Sequence, residues 1–425
     1  MQDLEIQDYH KHPCFNPDAK GKYGRVHLPV APKCNIKCNF CDRKYDCVNE
    51  SRPGVTSTIL TPDQAGIYMQ RVLEREPRIT VAGIAGPGDP FANGPETIAT
   101  LRTIRRNHPD AILCVSSNGM GIAPYISSLS EIKVSHVTIT VCAVDPEIGK
   151  EIYSWVKDGN IVYRGTQAAE LLLSRQLAAI KMLKEYQITV KVNCIIIPGV
   201  NDHHVEEVAQ TMKGLGVDLL NCMAMFPNVN TPFAHIEQPD KKSMAAIRNR
   251  AEHYLPQMRH CTRCRADAVG LLDEDRTDEF RSCLSSCSTI KPLPPELRHY
   301  VAVATQEGVL VNQHLGEARR IQIWEQNEGS FRKVEERQAP STGGGVKRWH
   351  QLARILGDCR AILVSGVGQT PFDILSKSGI KPVEAAGFIE EGLRIVFDNQ
   401  RTDILRGRRN TGTDDSCTGT GGGCG

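Results

Sequence analysis

Cys34-Asn35-Ile36-Lys37-Cys38-Asn39-Phe40-Cys41 places three thiols within one short segment of the 425-residue chain. Three thiolates on such a segment can ligate three irons of a 4Fe–4S cube and leave the fourth iron without a protein ligand. An open metal position is what substrate chemistry needs, whereas a closed set of four ligands is structural. A zinc knuckle is the bland alternative, so the surrounding pattern has to decide.

Working outward, a strand-like run, Arg25–Val30, ends just before the triplet. Further strand-like runs follow at Ile79–Ile84, Ala111–Ser116, His136–Cys142, Thr189–Ile197 and Asp218–Met223. Helical patterns lie between them, among them Pro62–Glu74, Pro95–Arg106 and Gln167–Tyr186. Six βα-like units predict a parallel sheet closed into a partial (β/α)6 barrel, with its chemistry at the C-terminal ends of the strands. The proline-rich Lys291-Pro-Leu-Pro-Pro-Glu296 breaks this pattern and reads as a linker over 291–298. A smaller α/β domain is expected over 299–400, with strands at Val301–Thr305, Val309–Asn312, Ile321–Glu325 and Ala361–Ser365 and helices at Val346–Leu356 and Pro371–Ser376. The Gly/Cys-rich tail, 401–425, has the composition of a disordered segment.

Composition narrows the chemistry. Hydrophobic residues make up 40% and charged residues 24%, as in a globular protein with a sizeable core. A formal net charge of +2 gives no reason to expect nucleic acid or a membrane surface as partner. The N-terminal segment lacks the apolar core of a secretory signal, and a cytoplasmic location is expected. There the thiols stay reduced, so the 16 cysteines point to metal or burial rather than disulfides.

The C-x-x-x-C-x-aromatic-C pattern after a first strand resembles the signature of the radical S-adenosylmethionine (SAM) enzymes. The resemblance implies a SAM-binding 4Fe–4S cluster on Cys34, Cys38 and Cys41, whose open iron chelates SAM and whose electron breaks it to a 5′-deoxyadenosyl radical. Gly86-Pro-Gly-Asp-Pro90 is similar to the family's Gly-Gly-Glu-Pro loop, with Asp89 where the family has Glu; Gly86, Gly88 and Asp89 are then candidates for the methionine end of SAM. Ser117 and Asn118 on the third strand, Thr140 on the fourth and Asn193 on the fifth are further candidate SAM contacts, each equally readable as ordinary strand filling.

His12-Pro-Cys-Phe15, Arg43–Val55 and Cys261-Thr-Arg-Cys-Arg-Ala-Asp-Ala-Val-Gly270 resemble the branch of this family that assembles the nitrogenase cofactor, over roughly residues 10–290. Val301–Thr305 with Leu310–Gly316 resembles the small NifX-like cofactor-carrier domain of three-layer, ribonuclease-H-like fold, with His314-Leu-Gly316 where that family usually has His-Phe-Gly. The resemblance implies two further 4Fe–4S clusters as substrate. One falls to Cys14, Cys114 and His12, the last within the N-terminal segment 1–24 and rivalled by His10. The other falls to Cys222, Cys261 and Cys264. The implied reaction is methylation and fusion of the two cubes with carbide insertion into an eight-iron product. Implied partners are iron–sulfur donor and cofactor-carrier proteins of nitrogenase assembly, and an electron donor such as ferredoxin or flavodoxin. Another radical SAM enzyme with auxiliary clusters, and a non-catalytic cluster carrier, are the alternatives. Glu50 and Arg52 are a possible charge pair; Cys47, Cys283, Cys287, Cys417 and Cys424 carry no assigned role.

Overall fold

The structure, a computed structural model, describes residues 9–44, 46–47, 58–261, 264–290, 298–327 and 329–398. Glu50, Arg52, most of the linker, Cys417 and Cys424 lie outside the described residues. The chain divides into two compact units, Met1–Ile290 and Lys291–Gly425.

In the first unit the strands are β1 (Gly24–His27), β2 (Ile36–Cys38), β3 (Ile79–Ile84), β4 (Ile112–Ser117), β5 (His136–Thr140), β6 (Tyr153–Asp158), β7 (Ile161–Tyr163), β8 (Thr189–Ile196), β9 (Leu219–Ala224) and β10 (Val269–Gly270). The main sheet runs β10-β1-β3-β4-β5-β8-β9. Its six expected strands are parallel, and β10 adds to β1 in the antiparallel sense. The two ends of the sheet do not pair with each other, so the sheet is an open half-barrel, in line with the partial barrel expected from the sequence.

Local chemistry explains the helices between the strands. Pro62–Arg75 begins on a reciprocal capping box between Thr61 and Gln64 with Pro62 as first residue, which satisfies otherwise orphaned N–H groups. Its Ala65, Tyr68, Met69 and Val72 recur at helical spacing and are buried against the sheet. The helix Thr277–Ser288 closes the unit by placing Phe280, Cys283, Leu284 and Cys287 in the same core. This gives Cys283 and Cys287 a packing role. Gln64 Nε2 donates to the carbonyls of Ser288 and Ile290 at 2.9 and 2.8 Å, tying down the end of the unit.

One feature is absent from the sequence reading: a small antiparallel sheet, β2-β6-β7, built on the cysteine segment itself. Cys38 pairs with Tyr153, so a hairpin inserted after the fourth barrel strand braces the triplet.

The second unit has β11 (Tyr300–Val303), β12 (Arg320–Asn327), β13 (Ser330–Gln338), β14 (Cys359–Val364) and β15 (Lys381–Glu384) in the order β13-β12-β11-β14-β15. Alternation along the central strands separates two cores. Ala302, Ile362 and Val364 pack with Trp349, Leu352 and Leu375 of the helices Gly345–Ile355 and Gln369–Lys377. Val301, Val303 and Leu363 pack with Ile389 and Leu393 of the helix Ile389–Phe397. The unit is therefore three-layered. The expected strand Val309–Asn312 is not one: Leu310 makes only an isolated bridge to Phe388. The strand β13, polar and exposed along most of its length, carries too little apolar alternation to be read as a strand from sequence.

Each unit has its own cores, so we expect a chain ending at Ile290 to fold and to retain the cluster sites of the first unit. Circular dichroism and iron content after anaerobic reconstitution check this; an unfolded or iron-free product would place essential contacts beyond Ile290.

Candidate metal centre and SAM site

Parity along the barrel strands decides which side chains face inward. Val26, Leu113, Val115, Val137, Val190, Val192 and Leu220 face the helices and form the outer core. The alternating residues, Arg25 and His27 on β1, Cys114 and Ser116 on β4, Thr138 on β5, Lys191 and Asn193 on β8, and Asn221 and Met223 on β9, line one cavity. His12, Cys14, Cys261 and Cys264 reach the same cavity from outside the barrel strands.

The N-terminal segment is held there by several contacts. His260 Nε2 donates to the Pro13 carbonyl at 2.9 Å, Thr80 Oγ1 to that of Lys11 at 3.1 Å, and Phe15 packs on His136 with ring centroids 4.3 Å apart. Lys191 Nζ lies 5.4 Å from the Phe15 ring centre, a cation–π arrangement inside the barrel. Burial pushes the Cys14 thiol up to about 12, so placing a metal on it releases a proton. His10 is exposed, which leaves His12 as the imidazole that this segment delivers.

Cys222 requires a correction. It stands on β9 between Asn221 and Met223, both of which line the cavity, and so points the opposite way, into the outer core. Its neighbour there is the helix Lys241–Glu252, whose Arg248 donates to the Cys222 carbonyl at 3.0 Å. Cys222 does lie near the end of its strand, but its side chain has the opposite parity from the residues that line the cavity.

His27, unassigned from sequence, is the residue that the cavity adds. Its Nδ1 lies 2.7 Å from the Arg265 carbonyl, which can only accept, so Nδ1 carries the proton and Nε2 keeps its lone pair. That second-sphere bond is the usual way a metal-binding imidazole is oriented. Burial, with Arg25 alongside, lowers its pKa to about 4 and keeps the ring neutral. His12 is wired the other way: its Nδ1 accepts from the Cys14 N–H at 3.2 Å, and its buried Nε2, which then bears the proton, has no hydrogen-bond partner among the described residues. The signal for His27 was available, since it alternates with Arg25 on the strand that precedes the triplet.

A second, smaller cavity adjoins the first and shares Ser116 with it. Cys34, Cys38, Cys41, Cys47, Arg43, Gly88, Asp89, Ser117 and Asn118 line it. Burial pushes the Cys34 thiol up to about 11 and raises that of Cys41. Asn118 Nδ2 bridges to the triplet segment, donating to Asn35 Oδ1 at 2.7 Å with Cys34 Sγ at 3.8 Å. Gly88 threads beside that segment so closely that a Cβ would sit 2.2 Å from the Lys33 carbonyl oxygen, which requires glycine.

Asp89 is committed to the protein. Its Oδ1 accepts from the N–H groups of Phe91 and Ala92, and its Oδ2 from Ser117 Oγ at 3.0 Å and the Asn118 N–H at 2.7 Å. Four donors occupy the carboxylate, so it joins the Gly/Pro loop to the end of β4 instead of offering itself to an ammonium group. Asp89→Asn removes acceptors from buried donors, and we expect it to cost about 1–3 kcal/mol, read as a lowered urea midpoint for the first unit. An unchanged midpoint would refute this role. Two other expected SAM contacts are placed elsewhere. Thr140 lines neither cavity, its carbonyl accepting from Gln176 at 2.8 Å, while Asn193 lines the larger one and accepts from Asn221 at 3.0 Å.

Every cysteine among the described residues is a free thiol. No three His, Cys, Asp or Glu among them converge on a single metal ion.

Comparison with known proteins agrees with this architecture. Residues 28–212 match the Radical SAM superfamily, and residues 298–398 match the family described as dinitrogenase iron-molybdenum cofactor. The chain is 50% identical to the FeMo cofactor biosynthesis protein NifB of Chlorobaculum tepidum, over 97% of this chain and 98% of that one. The chain belongs to the NifB family. Two further NifB proteins are less similar: that of Klebsiella pneumoniae is 36% identical over 87% of this chain and 86% of its own, and that of Azotobacter vinelandii 35% over 91% and 87%. Membership in the radical SAM superfamily implies a 4Fe–4S cluster and SAM, which the thiols and polar wall of the smaller cavity fit. Among the described residues no helix is long and apolar enough to cross a membrane.

Proposed function

We propose that this NifB-family chain methylates and fuses two 4Fe–4S clusters, with carbide insertion, into an eight-iron precursor of the nitrogenase iron–molybdenum cofactor. The observation that carries this reading is the pair of adjoining cavities. The triplet lines the smaller one, while four further thiols and two imidazoles line the larger one across Ser116.

In this reading Cys34, Cys38 and Cys41 hold the resident cluster, which when bound supplies the electron that cleaves SAM to the 5′-deoxyadenosyl radical. Gly88 lets the loop backbone approach SAM, Asp89 fixes that loop, and Asn118 orients the triplet segment. In the larger cavity Cys14 and Cys114, with His27 or His12, hold one substrate cube, and Cys261 and Cys264 hold the other. Lys191 and Arg25 place positive charge beside these anionic substrates, and the enclosing barrel excludes water from the reacting centre. One SAM gives its methyl to a cube sulfide; the radical from a second removes hydrogen from that methyl. The chemistry is of transferase and lyase type. In the cytoplasm, cluster donors, cofactor carriers and a ferredoxin or flavodoxin would serve as partners, and the second unit, with His314 exposed, would carry product.

The test is anaerobic incubation of the reconstituted protein with SAM and dithionite, followed by chromatography of the nucleosides. Both S-adenosylhomocysteine and 5′-deoxyadenosine are expected. The deoxynucleoside alone would exclude methyl transfer, and neither product would leave only a cluster carrier.

A further inference from the structure

Cys261 and Cys264 sit three residues apart, yet the structure treats them differently. Arg25 is 2% exposed and projects from β1 into the larger cavity. Its Nη1 donates to the carbonyls of Gly270 and Leu271 at 2.5 and 2.8 Å, and its Nε lies 3.1 Å from Cys264 Sγ as donor. One rigid guanidinium thus ties Cys264 to the backbone of the barrel edge, where Arg25 and Gly270 are also register partners. Among the described residues Cys261 has no comparable tie: its sulfur lies 4.0 Å from the Met223 thioether, a weak acceptor at best.

We infer that Arg25 is a positioning residue that makes Cys264 the anchoring thiolate of its substrate cube and leaves Cys261 the ligand that detaches first. This rests on the cluster assignment proposed above. An N–H···S bond from a permanent cation withdraws electron density from the thiolate sulfur, which raises the potential of the cluster it holds. Outer-sphere bonds that fix a ligand's orientation are worth about 10–100-fold in metal affinity, and Arg25 acts here by holding Cys264 Sγ in place, not by making it a stronger donor. The asymmetry suits a cube that must open coordination positions toward a second cube without leaving the cavity. A symmetric pair of thiolates would either retain both bonds or lose the cube.

The experiment uses the full-length, anaerobically reconstituted protein and reads two quantities other than turnover. These are the rate of iron loss to a chelator and the midpoint potential of the Cys261/Cys264 cube by electron paramagnetic resonance. Arg25→Lys keeps the charge but cannot span one sulfur and two carbonyls. One cube's iron is expected to leave about 10–100-fold faster, and its potential to move in the negative direction. Cys264→Ser is expected to release that iron faster than Cys261→Ser, a comparison that stands even if the Arg25 variant fails to fold. Wild-type release and potential in Arg25→Lys, or equal release from the two serine variants, would overturn the inference. Full iron retention in Cys261→Ala/Cys264→Ala would instead overturn the cluster assignment, and the inference with it.

Discussion

Replacing Cys34, Cys38 and Cys41 together by alanine is expected to abolish 5′-deoxyadenosine formation from SAM while leaving the iron of the larger cavity in place. The separation follows from geometry, because the triplet lines the smaller cavity and none of its members lines the larger one. The fold should survive the change. β2 is held by backbone pairing to β6, and the core beside it keeps Ile36, Phe40, Ile152 and Val156, so only the small thiol contribution to packing is lost. A cube without protein thiolates cannot be held at the barrel mouth, so the loss should be complete. Full SAM cleavage by the triple variant would show that the reaction is run from somewhere else.

The second large effect concerns the substrate cubes. Cys14→Ala/Cys114→Ala and Cys261→Ala/Cys264→Ala should each remove about one cube's worth of iron and leave SAM cleavage intact, since the two pairs share a cavity from which the triplet is absent. Cys222→Ala should retain full iron, because that thiol faces the outer core. Of the imidazoles, His27→Ala should alter the spectrum of the first cube more than His12→Ala, because only His27 presents an unprotonated Nε2 when neutral. Iron analysis with electron paramagnetic resonance on these variants checks all four statements. Iron loss in Cys222→Ala, or its retention in both paired variants, would contradict them.

Much of this was legible in the sequence because it is written in local patterns. The six parallel strands announced themselves as apolar runs between helical periods, and the triplet by its spacing. What escaped depended on pairing between distant segments. Ile36–Cys38 is too short to read as a strand, and only β6, more than a hundred residues later, makes it one. The parity of Cys222 turned on a single register position, fixed by the pairing of Asn193 with Asn221. Asp89 read as a ligand because its neighbours look like a binding loop; its four donors come partly from Ser117 at the end of β4 and from Asn118 just after it. Arg25, His27 and Lys191 are residue types often found at the surface, and only the curvature of the half-barrel turns them onto its inner wall.

The central claim is that one chain gathers two cubes beside a SAM-cleaving site and joins them. It is tested most directly by counting iron and recording electron paramagnetic resonance spectra on the full-length reconstituted protein, before and after SAM is added under reducing conditions. The account predicts three cubes' worth of iron at the start. After SAM, the signals of the two substrate cubes should give way to that of one larger cluster with no iron released. Cleavage of SAM with all the cubes unchanged, or a protein that holds only the single cube of the triplet, would contradict it.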